Sequence, residues 1–124
     1  MLNFNSILLF SENPKDLAEF YKKVLQAKPG WESDGYTALT AGAGTIVIGP
    51  HDKVKGKNSN SERIMLNFEV TDVKSEFDRV KELGAKVIAG PYHPEEEKDN
   101  DEGLIATFED PDGNFFQLMS PYKL

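Results

Sequence analysis

Residues 108–118, FEDPDGNFFQL, read as two short strands folded back on one another. Phe108 ends one apolar run and Phe115-Phe116-Gln117-Leu118 begins the next. Between them, Asp110-Pro111-Asp112-Gly113-Asn114 is a dense turn signal. Proline presets one dihedral, glycine accepts a positive φ, and Asp or Asn side chains accept hydrogen bonds from backbone two residues on. The outgoing strand extends to Met119, and the incoming one starts at Leu104.

Working upstream, a long polar loop precedes Leu104, and Ala85 to Ala89 reads as a strand. Gly84 stands where a helix end needs the left-handed conformation. Val73, Phe77, Val80 and Leu83 recur at helical spacing behind Asp72, a residue type suited to capping. Residues 63–70, RIMLNFEV, form one more strand. This half therefore runs strand, helix, strand, strand, strand.

The first half repeats that order. Residues 3–10 are a strand rich in Ile, Leu and Phe. Asn13-Pro14 looks like a cap followed by proline at the first helical position. Leu17, Phe20, Tyr21, Val24 and Leu25 then repeat at helical spacing, and Pro29-Gly30 is expected to end the segment. Strands follow around Trp31, over Tyr36 to Ala41, and over Thr45 to Gly49, with turns at Asp34-Gly35 and Gly42-Ala43-Gly44. A shift of 56 residues superposes Leu17 on Val73, Tyr21 on Phe77 and Val24 on Val80. Two copies at such a spacing are a duplication rather than a solenoid. The expected organisation is one α+β domain, 1–124, with module one about 1–49, a linker at 50–62 and module two about 63–121.

Composition sets the outer limits. A chain of 124 residues is one domain by size, long enough to fold on its own core. It has no cysteine, which removes disulfides, thiolate catalysis and cysteine-held metals. Fourteen Lys and Arg against 21 Asp and Glu give a net charge of −7, which repels phosphate backbones and argues against nucleic acid. Lys53, Lys55 and Lys57 are too diluted to make a basic patch. Glu95, Glu96, Glu97, Asp99, Asp101 and Glu102 crowd the loop 94–102; solubility is the plain reading, and a rim attracting cations the sharper one. No secretory signal and no membrane-spanning run are visible, so a cytoplasmic protein with no membrane partner is expected.

With FEDPDGNFFQL, NFEVTDV (67–73), LGAKV (83–87) and DLAEFYKKVL (16–25) in order and duplicated, the chain resembles the vicinal oxygen chelate superfamily. This is the glyoxalase, bleomycin-resistance and extradiol-dioxygenase group. The resemblance covers residues 1–121. It implies two βαβββ modules whose mixed sheet curls into a cup, with helices outside and ligands inside.

Catalytic members of that group hold a divalent metal with a His on the first strand and a Glu near the end of the fourth strand of each module. Here those positions read Ser6, Met65 and Gln117, with an aliphatic residue among Ile46, Val47 and Ile48 in place of the remaining carboxylate. Neighbouring registers supply no replacement. The resemblance therefore implies the fold without its metal, and no cofactor is expected. The two histidines lie elsewhere, His51 after Pro50 and His93 within Pro91-Tyr92-His93-Pro94. Each reads as a surface-loop residue, with the alternative that it reaches over the cup mouth as acid, base or hydrogen-bond partner.

If Ser6, Met65 and Gln117 face inward, alternation along the strands brings Leu8, Phe10, Asn67, Glu69, Phe115 and Met119 with them. Trp31 and Tyr36 add flat stacking surfaces. That is the make-up of an organic-ligand pocket, apolar walls with a few orienting polar groups, although such residues also occur as plain core. Glu69 is costly to bury alone, so it either pairs with Arg63 or lies at the wet end of its strand.

Three functions remain open. The first is a metal-free, homodimeric small-molecule-binding protein of the bleomycin-resistance type, sequestering an aromatic or amphipathic compound, with the acidic balance suiting a cationic one. The second is a lyase, isomerase or dioxygenase with noncanonical metal ligands, or with metal-free acid/base chemistry on Glu69 and His93. The third is a scaffold module contacting protein.

Overall fold

The computed structural model describes residues 1–94 and 103–121; the acidic stretch Glu95 to Glu102 lies outside them. The elements run β1 (Ser6–Phe10), α1 (Pro14–Leu25), β2 (Pro29–Ser33), β3 (Tyr36–Ala41), β4 (Gly44–Gly49), β5 (Leu66–Glu69), α2 (Val73–Glu82), β6 (Lys86–Tyr92), β7 (Ile105–Glu109) and β8 (Phe115–Met119). The chain divides into two compact units, Met1–Lys57 and Asn58–Leu124, a division inside the stretch 50–62. Each unit is a βαβββ module: one four-stranded open sheet, in the order β1-β4-β3-β2 or β5-β8-β7-β6. In each, the first and fourth strands pair in parallel and the rest antiparallel. The fold is α+β, and identical strand order in both units matches the duplication in the sequence. No helix among the described residues is long and apolar enough to cross a membrane.

In the first unit, α1 buries Leu17, Ala18, Tyr21 and Val24. They meet the helix-facing side chains Leu39, Ile46 and Ile48, all buried. Burying each large apolar side chain of this kind contributes about 1.5–3 kcal/mol. Lys22 ties the helix to β2, its ammonium 2.9 Å from Glu19 and 3.0 Å from Glu32. Its hydrogen bond to Glu19 holds that carboxyl below the usual value. The helix start differs from expectation: the Asn13 side chain makes no capping bond. Instead the buried Ser11 hydroxyl accepts the Asn13 N–H at 2.9 Å. Nor does Pro29-Gly30 end the helix. Gln26 closes it in the left-handed conformation (φ 53°), and Pro29 opens β2. Proline is tolerated there because β2 is an edge strand.

In the second unit, Asp72 caps α2 as its residue type predicts, its carboxylate accepting the Ser75 N–H at 3.1 Å. Gly84 takes φ 96° just past the helix end. Val73 and Val80 of α2 are buried, as are Ala106, Phe108, Phe116 and Leu118 of the sheet. Phe108 lies between Phe77 of α2, at 5.2 Å between centroids, and Phe116, stacked at 5.5 Å. The first strand of this unit is shorter than expected. It starts at Leu66, so Met65 precedes it rather than belonging to it.

The fold-deciding turn is built on Asp110, only 4% exposed. Its carboxylate accepts the backbone N–H groups of Asp112 (2.9 Å) and Asn114 (3.0 Å) and the Asn114 side-chain amide. The same turn holds the chain entering the unit. Asn58 donates its N–H to the Asp112 carbonyl (2.7 Å) and its amide to Asn114 Oδ1 (2.9 Å). The Ser61 hydroxyl donates to the Gly113 carbonyl.

Candidate functional site

Each sheet has a helix on one face, and the strand registers say which side chains occupy the other. In the first unit, Leu8 pairs with Val47, Val47 with Ala38 and Ala38 with Trp31. These four form one row across the helix-free face, and its two ends are exposed, Leu8 at 57% and Trp31 at 51%. The next row contains Ser6 and Thr45, followed by Thr40. At the other end Phe10 pairs with Gly49. Thus Ser6, Leu8, Phe10, Trp31 and Tyr36, named from the sequence, share one face of one sheet.

Tyr36 lies directly over Gly49. A Cβ there would stand 2.0 Å from Tyr36 Cδ1 and 2.8 Å from Cγ. Glycine lets the ring rest on bare backbone, where Phe10 meets it edge-on at 6.5 Å and its hydroxyl donates to the Pro50 carbonyl at 3.0 Å. Gly49→Ala is therefore expected to destabilise the protein by about 1–3 kcal/mol, as overpacking does. Urea unfolding measures the loss, and near-UV circular dichroism reports the displaced tyrosine. Unchanged stability would mean that the ring yields freely.

His51 adds a third ring, edge-on to Phe10 at 5.0 Å. Its Nδ1 accepts the Lys53 N–H at 3.1 Å, which places the proton of a neutral imidazole on Nε2. The ring is a neighbour of the Phe10 end of the face, a placement the sequence does not reveal. His93 is half-buried, and its Nδ1 is buried with no hydrogen-bond partner among the described residues.

In the second unit, Asn67 pairs with Gln117 and Gln117 with Thr107. Glu69 pairs with Met119, Met119 with Ile105 and Ile105 with Tyr92. Phe115 pairs with Glu109, which meets Lys86 in an ion pair at 3.4 Å. So Asn67, Glu69, Phe115, Gln117 and Met119 share the helix-free face of this sheet. Glu69 is exposed, the second of its two expected placements. Two bonds orient the amides: Gln117 Nε2 donates to Thr107 Oγ1 at 3.2 Å, and Asn67 Nδ2 donates to Met119 Sδ at 2.9 Å. Thr107, buried at 5% exposure, and the exposed Tyr92 were not among the residues named from sequence. Two register shifts in β6 break its alternation, so only the pairing with β7 says beside what Tyr92 lies.

The positions where a metal-binding relative needs His and Glu can be tested against this geometry. Of the three aliphatic candidates in β4, Ile46 and Ile48 face α1 and are buried, so only Val47 reaches the helix-free face. In the first unit Ser6 and Val47 offer only a hydroxyl, and in the second Met65 and Gln117 offer a thioether and a neutral amide. Zinc and the other divalent transition metals favour imidazole and carboxylate donors, and a thioether suits soft copper. No group of three or more His, Asp or Glu able to hold a metal occurs among the described residues. Neither the Ser6 and Val47 positions of the first unit nor the Met65 and Gln117 positions of the second fit a divalent metal.

Comparison with known proteins agrees with the architecture. The profile of the glyoxalase-like domain family matches residues 6–119. No curated protein matches. Among solved structures, the fosfomycin resistance protein FosX of Listeria monocytogenes, complexed with Mn(II) and sulfate ion, is 18% identical with a TM-score of 0.72, covering 98% of this chain and 92% of that one. FosX of Mesorhizobium loti is 17% identical (TM-score 0.73; 98% and 94% covered). An integron cassette protein from the mobile metagenome of V. cholerae is 23% identical (TM-score 0.70; 98% and 97% covered). At these identities the likeness is one of fold.

Proposed function

This chain belongs to the glyoxalase-like domain family, within the vicinal oxygen chelate superfamily, and from that premise we propose that it is a metal-free small-molecule-binding protein of the bleomycin-resistance type. The observation that carries the reading is the donor set. Where catalytic relatives need His and Glu, this chain has Ser6, Val47, Met65 and Gln117. Binding without chemistry needs none of the missing ligands. It needs apolar surface for a ligand body and a few polar groups to orient it.

The helix-free faces supply both. Trp31 and Leu8 are large, apolar and exposed on one sheet, and Phe10, Tyr36 and His51 form an edge-to-face aromatic group beside them. Asn67, Gln117, Met119, Phe115 and Glu69 share the face of the other. The proposed ligand is an aromatic or amphipathic compound. The net charge of −7 and the exposed Glu69 carboxylate favour cationic members of that class. Exposed apolar side chains on sheet faces also suit a second copy of the chain, and a homodimer is part of the proposal. A second reading, a lyase, isomerase or dioxygenase, draws on Glu69, an exposed carboxylate on a helix-free face.

Native mass spectrometry of untagged protein tests the reading. The expected result is a dimer without stoichiometric metal, with or without a co-purified organic adduct. One zinc, manganese, nickel or iron per chain would overturn it and put the enzyme reading first. A monomer would remove the dimer.

A further inference from the structure

The helix-free face of the second sheet carries a row of uncharged hydrogen-bonding groups, Asn67 on β5, Gln117 on β8 and Thr107 on β7, directly opposite one another. From this row we infer that the face recognises its ligand through an uncharged carboxamide-type edge, an N–H donor beside a carbonyl acceptor, whatever charge the rest of the ligand carries. The inference rests on the binding-protein reading above and specifies the ligand's chemistry.

A primary amide has two N–H donors and a carbonyl oxygen with two lone pairs. Among the described residues, Asn67 and Gln117 each make one side-chain hydrogen bond, and each uses a single N–H in it. The Gln117 bond is to Thr107, its buried partner on the adjacent strand, so the amide is held from the side. The Asn67 bond ends on the Met119 thioether, a weak acceptor. A ligand carbonyl is a stronger acceptor and takes that N–H at little loss. The two amide carbonyls accept in return. Asn67 and Gln117 stand on adjacent strands, about 4.8 Å apart, a spacing that one carboxamide, lactam or urea group spans.

Charge selects against the alternatives. A carboxylate placed on this row can accept the free N–H groups but leaves the two carbonyl oxygens without a donor, with Glu69 two residues along β5. The Lys86 ammonium is already paired with Glu109. A cationic group elsewhere on the ligand can meet Glu69, but placed on the row itself it leaves the amide N–H groups without an acceptor. Phe115 and Met119, on the same face, give an attached ring apolar surface.

Titration of 15N-labelled protein with benzamide, benzoate and toluene, followed by 1H–15N correlation spectra, tests this. The side-chain NH2 signals are assigned with Asn67→Ala and Gln117→Leu. Benzamide is expected to shift both NH2 pairs and to bind about tenfold or more tightly than either other probe, the difference one or two oriented hydrogen bonds supply. Gln117→Leu is expected to abolish that preference while toluene binding persists. Equal binding of toluene and benzamide would overturn the carboxamide edge and leave the binding-protein reading standing. Tighter binding of benzoate would overturn it in favour of an anion site. If no probe shifts any signal from either helix-free face, both readings fall.

Discussion

Asp110→Ala is expected to lower folding stability by about 3 kcal/mol, the worth of a few charge-assisted hydrogen bonds lost together. The Asp110 carboxylate is nearly inaccessible and accepts from two backbone N–H groups and one side-chain amide inside a five-residue turn. Alanine leaves those donors facing no acceptor, and water reaches only part of the turn because Gly113 is also buried. The effect is expected to spread to residues 58–61, since Asn58 and Ser61 bond to the Asp112 and Gly113 carbonyls. Urea unfolding gives the magnitude, and amide hydrogen exchange gives the spread. Asp110→Asn is expected to lose less, because its side-chain carbonyl still accepts. A loss below about 1 kcal/mol for the alanine variant, the worth of one ordinary hydrogen bond, would mean that backbone propensity alone makes this turn.

Phe108→Ala is expected to lose about 3–5 kcal/mol, the range for removing a buried aromatic ring. Phe108 is wholly buried and bridges helix and sheet, between Phe77 of α2 and Phe116 of β8. Its removal leaves a hole bounded by two rings, and Phe116 also meets Phe68 edge-on at 6.2 Å, so collapse into the hole disturbs a third. Phe108→Leu is expected to retain more than half of the lost stability. Far-UV circular dichroism measures the transition. Trp31, the single tryptophan, sits in the other unit, so its fluorescence shifts with the transition only if both units unfold together. A loss under about 1.5 kcal/mol, in the range of volume-conserving swaps, would show that the ring is not close-packed.

Much of the fold was legible in the sequence because its signals are local. Helical spacing located α1 and α2, and Asp72 and Gly84 marked the ends of α2 through capping and backbone conformation that depend on a few adjacent residues. The DPDGN turn is equally local. Errors arose where local signals compete. Asn13 looked like a cap, yet Ser11, two residues away, supplies the oxygen. Pro29 looked like a terminator, yet an edge strand accepts it. Arg63–Met65 looked like strand, yet pairing with β8 begins only at Leu66.

The sequence by itself determined the duplicated βαβββ order, and it carries no His or Glu at the positions that the resemblance assigns to metal ligands. Through the period of two along a strand, it also determined that Ser6, Leu8 and Phe10 share a face, as do Phe115, Gln117 and Met119. Those are properties of residues near one another in the chain. Only the tertiary structure decided which strand lies beside which and in what register. It set Gln117 between Asn67 and Thr107, from segments 50 and 10 residues away in the chain. It laid the Tyr36 ring on Gly49 and brought His51 against Phe10. Backbone hydrogen bonds between strands are the same for every residue, so pairing is chosen by the packing of whole faces. A site made by pairing becomes visible only when the sheet is assembled.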